Sequence, residues 1–162
     1  MPEMQNENDG RNDFDFLHGN WKVHHRTLKK RLNDSADWQE FEGEMEHRNI
    51  LGGIGNIDEN VIHSKTGTIL AIALRVFNPT SKEWSIYWST DSTGTLDVPV
   101  IGSFRDGVGE FYSQEVFEGR HIYSRFIWSR ITRDSAHWEQ AFSEDGGKTW
   151  ETNWIMELER VT

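Results

Sequence analysis

The sequence predicts an all-β fold: a single antiparallel up-and-down barrel of about ten strands, with a short helical turn near the N-terminus. Three observations lead there. Short segments rich in Val, Ile, Thr and aromatic residues alternate with turn signals about every ten residues, and no window carries the spacing of a long helix. The links are too short for the crossovers that parallel strands need. A meander of this length would leave two exposed edges unless the sheet closes on itself.

Composition bounds the reading. The 162 residues are the length of one domain. Only 35% are hydrophobic, yet 8 Trp, 9 Phe and 3 Tyr supply large rings that bury enough area for a core. Lys and Arg total 17 against 27 Asp and Glu, a formal charge of −10. That disfavours nucleic acid and anionic membrane as partners, since both need a basic surface. With 0 Cys there is neither a disulfide framework nor a thiolate metal site. No long apolar run and no hydrophobic N-terminal stretch occur, so neither a membrane span nor a signal peptide is expected, and the cytoplasm is the expected compartment.

Residues 1–12 lack apolar periodicity and read as a flexible tail, leaving 13–162 as the barrel domain. Asp13-Phe14-Asp15-Phe16-Leu17 suits one helical turn whose Phe14 and Leu17 plug the core. Strands are expected near 20–32, 38–50, 55–63, 68–77, 83–90, 96–104, 109–117, 120–130, 136–143 and 149–160. The intervening turns carry the Gly, Asn, Asp and Ser that such links require. Gly52-Gly53-Ile54-Gly55 is one of them: no helix follows to present an N-terminus to phosphate, so it reads as a turn or bulge.

Hairpin centring assigns faces, because directly opposed residues share one. One face of the first two strands reads Trp21, Val23, His25, Thr27, Phe41, Gly43, Met45 and His47. Over the last three strands the core face reads Ser124, Phe126, Trp128, Trp138, Gln140, Phe142, Trp150, Thr152, Trp154 and Met156. In the hairpin about Asn78–Lys82, Leu70, Ile72, Leu74 and Val76 join Trp84, Ile86 and Trp88 inside. The reverse face there carries Ala71, Ala73, Arg75, Phe77 and Tyr87, apolar enough to suggest an interface between copies. Arg75, Arg125 and Glu139 face outward on this register. A slip of one residue would bury them, and a buried Arg could then clamp a carboxylate ligand.

A closed barrel of this size has room for one small ligand. Trp88, Trp138 and Trp154 with Ser124, Gln140 and Thr152 form an apolar interior with few polar groups, suited to a small hydrophobic or aromatic molecule. His25 and His47 share the inward face of adjacent strands; two imidazoles there could begin a zinc or haem site, touch a ligand's polar group or act as a general base, against the plainer reading of hydrogen-bonded interior or rim residues. No third residue at ligand spacing joins them, so no metal site is assigned, and neither a catalytic set nor a cofactor follows from the pattern. Catalytic signatures such as Gly-x-Ser-x-Gly, a phosphate loop or His-Glu-x-x-His are absent from the sequence. Two alternatives stand beside ligand binding: an enzyme using the same cavity with a His base, and a structural homo-oligomer whose barrel is filled by Trp.

Gly19-Asn20-Trp21 resembles the Gly-x-Trp signature of the lipocalins and the wider calycin superfamily. The resemblance implies that Trp21 closes one end and that Arg160, late on the last strand, packs across it. The strand count is nearer the ten-stranded, fatty-acid-binding-like branch. From about Asp13 the chain also resembles a bacterial family of calycin-like domains, the DUF1579 type. Phe16-Leu17-His18-Gly19-Asn20-Trp21, Asn78-Pro79, Trp138 to Ser143 and Thr149 to Trp154 carry that likeness, which implies a fold and almost no function. Ser143-Glu144-Asp145-Gly146-Gly147-Lys148-Thr149-Trp150 matches the Asp-box hairpin, in which Asp145 would accept turn N–H groups and Trp150 would plug the core. A single copy cannot make a propeller, so a sialidase-type reading is rejected.

Overall fold

The computed structural model describes residues 9–162. Of the expected tail, residues 1–8 lie outside the described ones. Within the remainder, the Gly10 carbonyl accepts the Trp84 indole N–H at 2.9 Å.

A 3-10 turn at Asp15–Leu17 precedes ten strands: β1 Gly19–Leu28, β2 Trp38–Ile50, β3 Gly55–Ser64, β4 Gly67–Asn78, β5 Glu83–Thr90, β6 Val100–Arg105, β7 Val108–Phe117, β8 Arg120–Ser129, β9 Ser135–Ser143 and β10 Glu151–Arg160. Each pairs antiparallel with its neighbour in sequence, and β1 pairs with β10 to close the barrel. The expected all-β meander is the fold found. Two strands are each three residues shorter than expected. β1 stops at Leu28, and β6 begins at Val100, directly after Pro99, which has no N–H to give a ladder.

One end of the barrel is stoppered by the N-terminal turn. Phe14 meets Trp84 and Phe104 edge-on, with centroids 5.1 Å and 5.0 Å apart. Leu17 is fully buried, and its carbonyl accepts the Trp21 indole N–H at 2.9 Å. Arg160, the cross-strand partner of Trp21, stacks on its ring.

Registers follow the sequence reading in two places and depart from it in two. β1 and β2 pair Trp21 with Met45, Val23 with Gly43 and His25 with Phe41, the inward face expected. β8 and β9 pair Trp128 with Trp138 and Phe126 with Gln140, also as expected.

The β4–β5 hairpin is one residue out. Asn78 pairs with Glu83, so the loop holds four residues, not five. The Asn78 side chain causes this, since its Oδ1 accepts the N–H groups of Thr80 (2.8 Å) and Ser81 (3.2 Å) and draws the turn tight. Ala71, Ala73, Arg75 and Phe77 therefore face in opposite Trp84, Ile86 and Trp88, while Leu70, Ile72, Leu74 and Val76 face out. Packing favours this result: an interior already holding large indoles takes alanines better than leucines. The outward placement expected for Arg75 is thus corrected. Arg125 and Glu139 do face outward.

The second departure is a bulge in β10. Glu151 opposes Phe142 and Thr152 opposes Ala141, but Trp154 opposes Gln140, so Asn153 is the extra residue. Trp154 and Met156 keep the inward face, while Thr152 and Trp150 fall on the outer one. Trp150 is not a core plug. Its ring lies outside, 4.4 Å beneath the Arg125 guanidinium and 6.1 Å from Tyr112. The Asp-box turn itself forms: Asp145 accepts from Thr149 N–H at 2.9 Å, Thr149 O–H at 2.6 Å and Ser143 O–H at 2.8 Å. These three donors hold its carboxyl well below the usual carboxylate range.

Candidate functional site: the barrel interior

Inward side chains leave a cavity of about 290 Å³ inside the barrel. Aromatic rings form one side of its wall. Trp138 meets Trp154 edge-on at 5.3 Å, Trp154 meets Trp88 edge-on at 5.6 Å, and Phe126 stands 4.9 Å from Trp138. Alternation along β5, β8, β9 and β10 brings these four rings to one place. Ala73 on β4 supplies the missing volume opposite Trp88. Ser124 and Gln140 add polar atoms to the wall, and Gln140 Nε2 donates to Asn153 Oδ1 at 2.8 Å. The β10 bulge therefore fixes one polar group of the cavity.

Of the residues named from sequence, Trp88, Ser124, Trp138, Gln140 and Trp154 line the cavity together. Thr152 does not, because the bulge turns it outward. His25 stands behind the wall. Its Nδ1 accepts the Trp154 indole N–H at 3.1 Å, and its ring stacks on Phe41 at 5.2 Å. Burial pushes its pKa down to about 4. His47 lies toward the stoppered end, 5.4 Å from the His18 ring, and is not part of the cavity wall. Burial first, and then the Arg75 cation, push its pKa down to about 3. The Asn56 side chain lies beside it without completing a hydrogen bond. Both rings are neutral near pH 7, so neither can begin a reaction as a cation.

The cavity also contains an ion pair absent from the sequence-derived site. Arg75 Nη1 stands 2.7 Å from Asp58 Oδ2 and donates to Asn56 Oδ1 at 2.9 Å, with both charged side chains almost wholly buried. Asn60 Nδ2 donates to the other oxygen of Asp58 at 2.5 Å. The Arg75 guanidinium also lies over Phe14 at 5.0 Å, so this network seals the cavity floor against the N-terminal stopper. The sequence did carry a signal for it. Asn56, Asp58 and Asn60 alternate along one face of β3, opposite Arg75, Ala73 and Ala71 of β4. Among the described residues, no group of three His, Asp or Glu side chains is placed to hold a metal ion.

Beyond the cavity, at the opposite end from the stopper, a wider chamber of about 750 Å³ opens to solvent. Trp88, Trp154, Phe117 and Arg31 line both spaces, so the cavity has an entrance. Among the described residues no helix is long and apolar enough to cross a membrane.

No protein-family model matches the chain, and no curated protein matches it. Among solved structures it is similar to an S-type phycobiliprotein lyase from Guillardia theta, with a TM-score of 0.62 and 11% identity over 92% of this chain and 90% of that one. At that identity the likeness is one of fold.

Proposed function

We propose that this chain binds a small hydrophobic or aromatic molecule inside the barrel. The observation that supports this most is the cavity of about 290 Å³, walled by Trp88, Phe126, Trp138 and Trp154 and reached from an open end. Its volume lies at the lower bound of ligand pockets, which run from ~300 to ~1,000 Å³. The aromatic rings favour a ligand with a ring or hydrocarbon body, and Ser124 and Gln140 are available to orient it beside the charged groups of the same wall. In this reading His25 is a positioning residue, holding the Trp154 indole, while His47 and Thr152 make no ligand contact. The reading as a DUF1579-type calycin domain in the cytoplasm belongs to the same proposal, supported by the motifs at Phe16–Trp21 and Thr149–Trp154.

The enzyme alternative gains no support from the two buried histidines. Bases with pKa values of about 4 and about 3 are weakly matched to chemistry near neutral pH, and neither lines the cavity.

NMR of the indole N–H groups tests the proposal, since the eight Trp report from different places. Titration with the neutral probe phenylnaphthylamine should move the Trp88, Trp138 and Trp154 indole signals together and leave Trp38 and Trp150 still. Shifts confined to Trp38 and Trp150, or none at all, would overturn it.

A further inference from the structure

The charge around the entrance runs against the charge of the chain. The whole sequence carries −10, yet the side chains lining the outer chamber include Lys29, Lys30, Arg31 and Arg120 against Glu118 alone. A cation-lined mouth on an acidic protein concentrates anions where the rest of the surface repels them.

Two of these cations are already engaged. Arg120 pairs with Glu144 at 3.3 Å and donates to the Leu32 carbonyl at 2.7 Å, and Lys29 faces Asp37 at 3.7 Å. Arg31 differs. Its guanidinium carbon stands 5.5 Å from the Phe142 ring centroid, and it makes no side-chain hydrogen bond or ion pair among the described residues. Among those residues it is the one charged side chain that lines both the inner cavity and the outer chamber. Burial opposes its charge, and Glu151, Glu115 and Glu118 answer it only at a distance. The planar fork thus keeps its donors free at the throat, in the geometry that takes a carboxylate or sulfonate with two parallel hydrogen bonds.

We infer that the ligand is an amphipathic anion, an aromatic or apolar body seated in the inner cavity with its acidic group held by Arg31 at the throat. This rests on the proposed interior binding and adds the ligand's chemical class and orientation. The reverse orientation is disfavoured by the floor. Arg75 is already paired with Asp58, so an acid entering body-last would have to displace a buried carboxylate. Asp97 and Glu115 also line the inner space, which disfavours an anion placed anywhere but at the fork of Arg31.

Two probes sharing an aromatic body separate the claims: anilinonaphthalene sulfonate, which is anionic, and phenylnaphthylamine, which is neutral. Both should bind the full chain one to one. Arg31→Met, which keeps an apolar stem against Phe142, should weaken the sulfonate about tenfold or more and leave the neutral probe within about twofold. Arg31→Lys should restore part of the loss. Raising ionic strength from about 0.05 M to about 0.5 M should weaken the sulfonate alone. If Arg31→Met weakens both probes equally or neither, or if the sulfonate fails to bind while the neutral probe does, the inference is overturned and interior binding stands. If neither probe binds the parent chain, the interior-binding proposal itself fails. Thermal melts of both variants, matching the parent, exclude misfolding as the cause.

Discussion

The guanidinium carbon of Arg160 stands 4.3 Å from the ring centroid of Trp21, its direct partner across the β1–β10 seam. The same guanidinium donates to the carbonyls of His18, of Phe16 at 2.7 Å and of Arg133 at 2.8 Å. One side chain thus ties the barrel's closing strand to the N-terminal stopper and to the β8–β9 link.

Truncating this pair should cost stability at the seam. Trp21 is 1% exposed, and Trp21→Ala is expected to cost about 3–5 kcal/mol by chemical denaturation, as for other buried aromatic truncations. Arg160→Lys keeps the charge but loses the fork, and should cost about 1–3 kcal/mol. A loss below about 1 kcal/mol for Trp21→Ala would show that the seam does not depend on it.

Asp58 and Arg75 should behave as a coupled unit. Removing either alone leaves a buried charge without its partner, and Arg75→Met or Asp58→Leu is expected to cost about 3–5 kcal/mol. The double variant should cost much less than the sum, because no charge is then stranded. Additive costs in a double-mutant cycle would mean that the pair is not coupled through the 2.7 Å contact.

Acid should weaken the fold through His25 and His47. Their folded pKa values, about 4 and about 3, lie below the 6.5 of a free imidazole. The stability they contribute is therefore complete above about pH 6.5 and is lost as pH falls through the folded values, at about 1.4 kcal/mol per pH unit for each. His24 has the opposite sign. On the outer face it meets Glu42 and, at 2.7 Å, Glu40, and these carboxylates raise its pKa. Its contribution is present below about pH 6.5 and is lost as pH rises through the raised value. Denaturation midpoints across pH check both signs: His25→Gln should flatten the acid limb, and His24→Gln should lower stability near pH 6 but not near pH 9. Unchanged slopes in both variants would refute the assignment.

How far the sequence could be read depended on the turns. The β1–β2 and β8–β9 registers were legible, so His25 and His47 were placed inward and Trp138 was set opposite Trp128. The β4–β5 turn was not, because the Asn78 side chain takes two turn N–H groups and removes one residue from the loop. That single residue moved Arg75 from the surface to the cavity floor. The Asn153 bulge likewise sent Thr152 and Trp150 outward while leaving Trp154 inside. Five of the eight proposed site residues line the cavity, whereas Asp58, Asn60 and Arg31 were missed. The polar alternation along β3 could have exposed the first two. Arg31 falls inside the strand expected over 20–32, but β1 ends at Leu28 and Arg31 lies in the loop after it.

Filling the cavity tests the central claim most directly. Ala73 lines it opposite Trp88 and is 4% exposed, so Ala73→Phe would occupy the ligand's place within the same barrel. Phenylnaphthylamine fluorescence should rise saturably with the parent chain and not with Ala73→Phe, while the circular dichroism of the two remains alike. Equal binding by both folded proteins would contradict a ligand site inside the barrel.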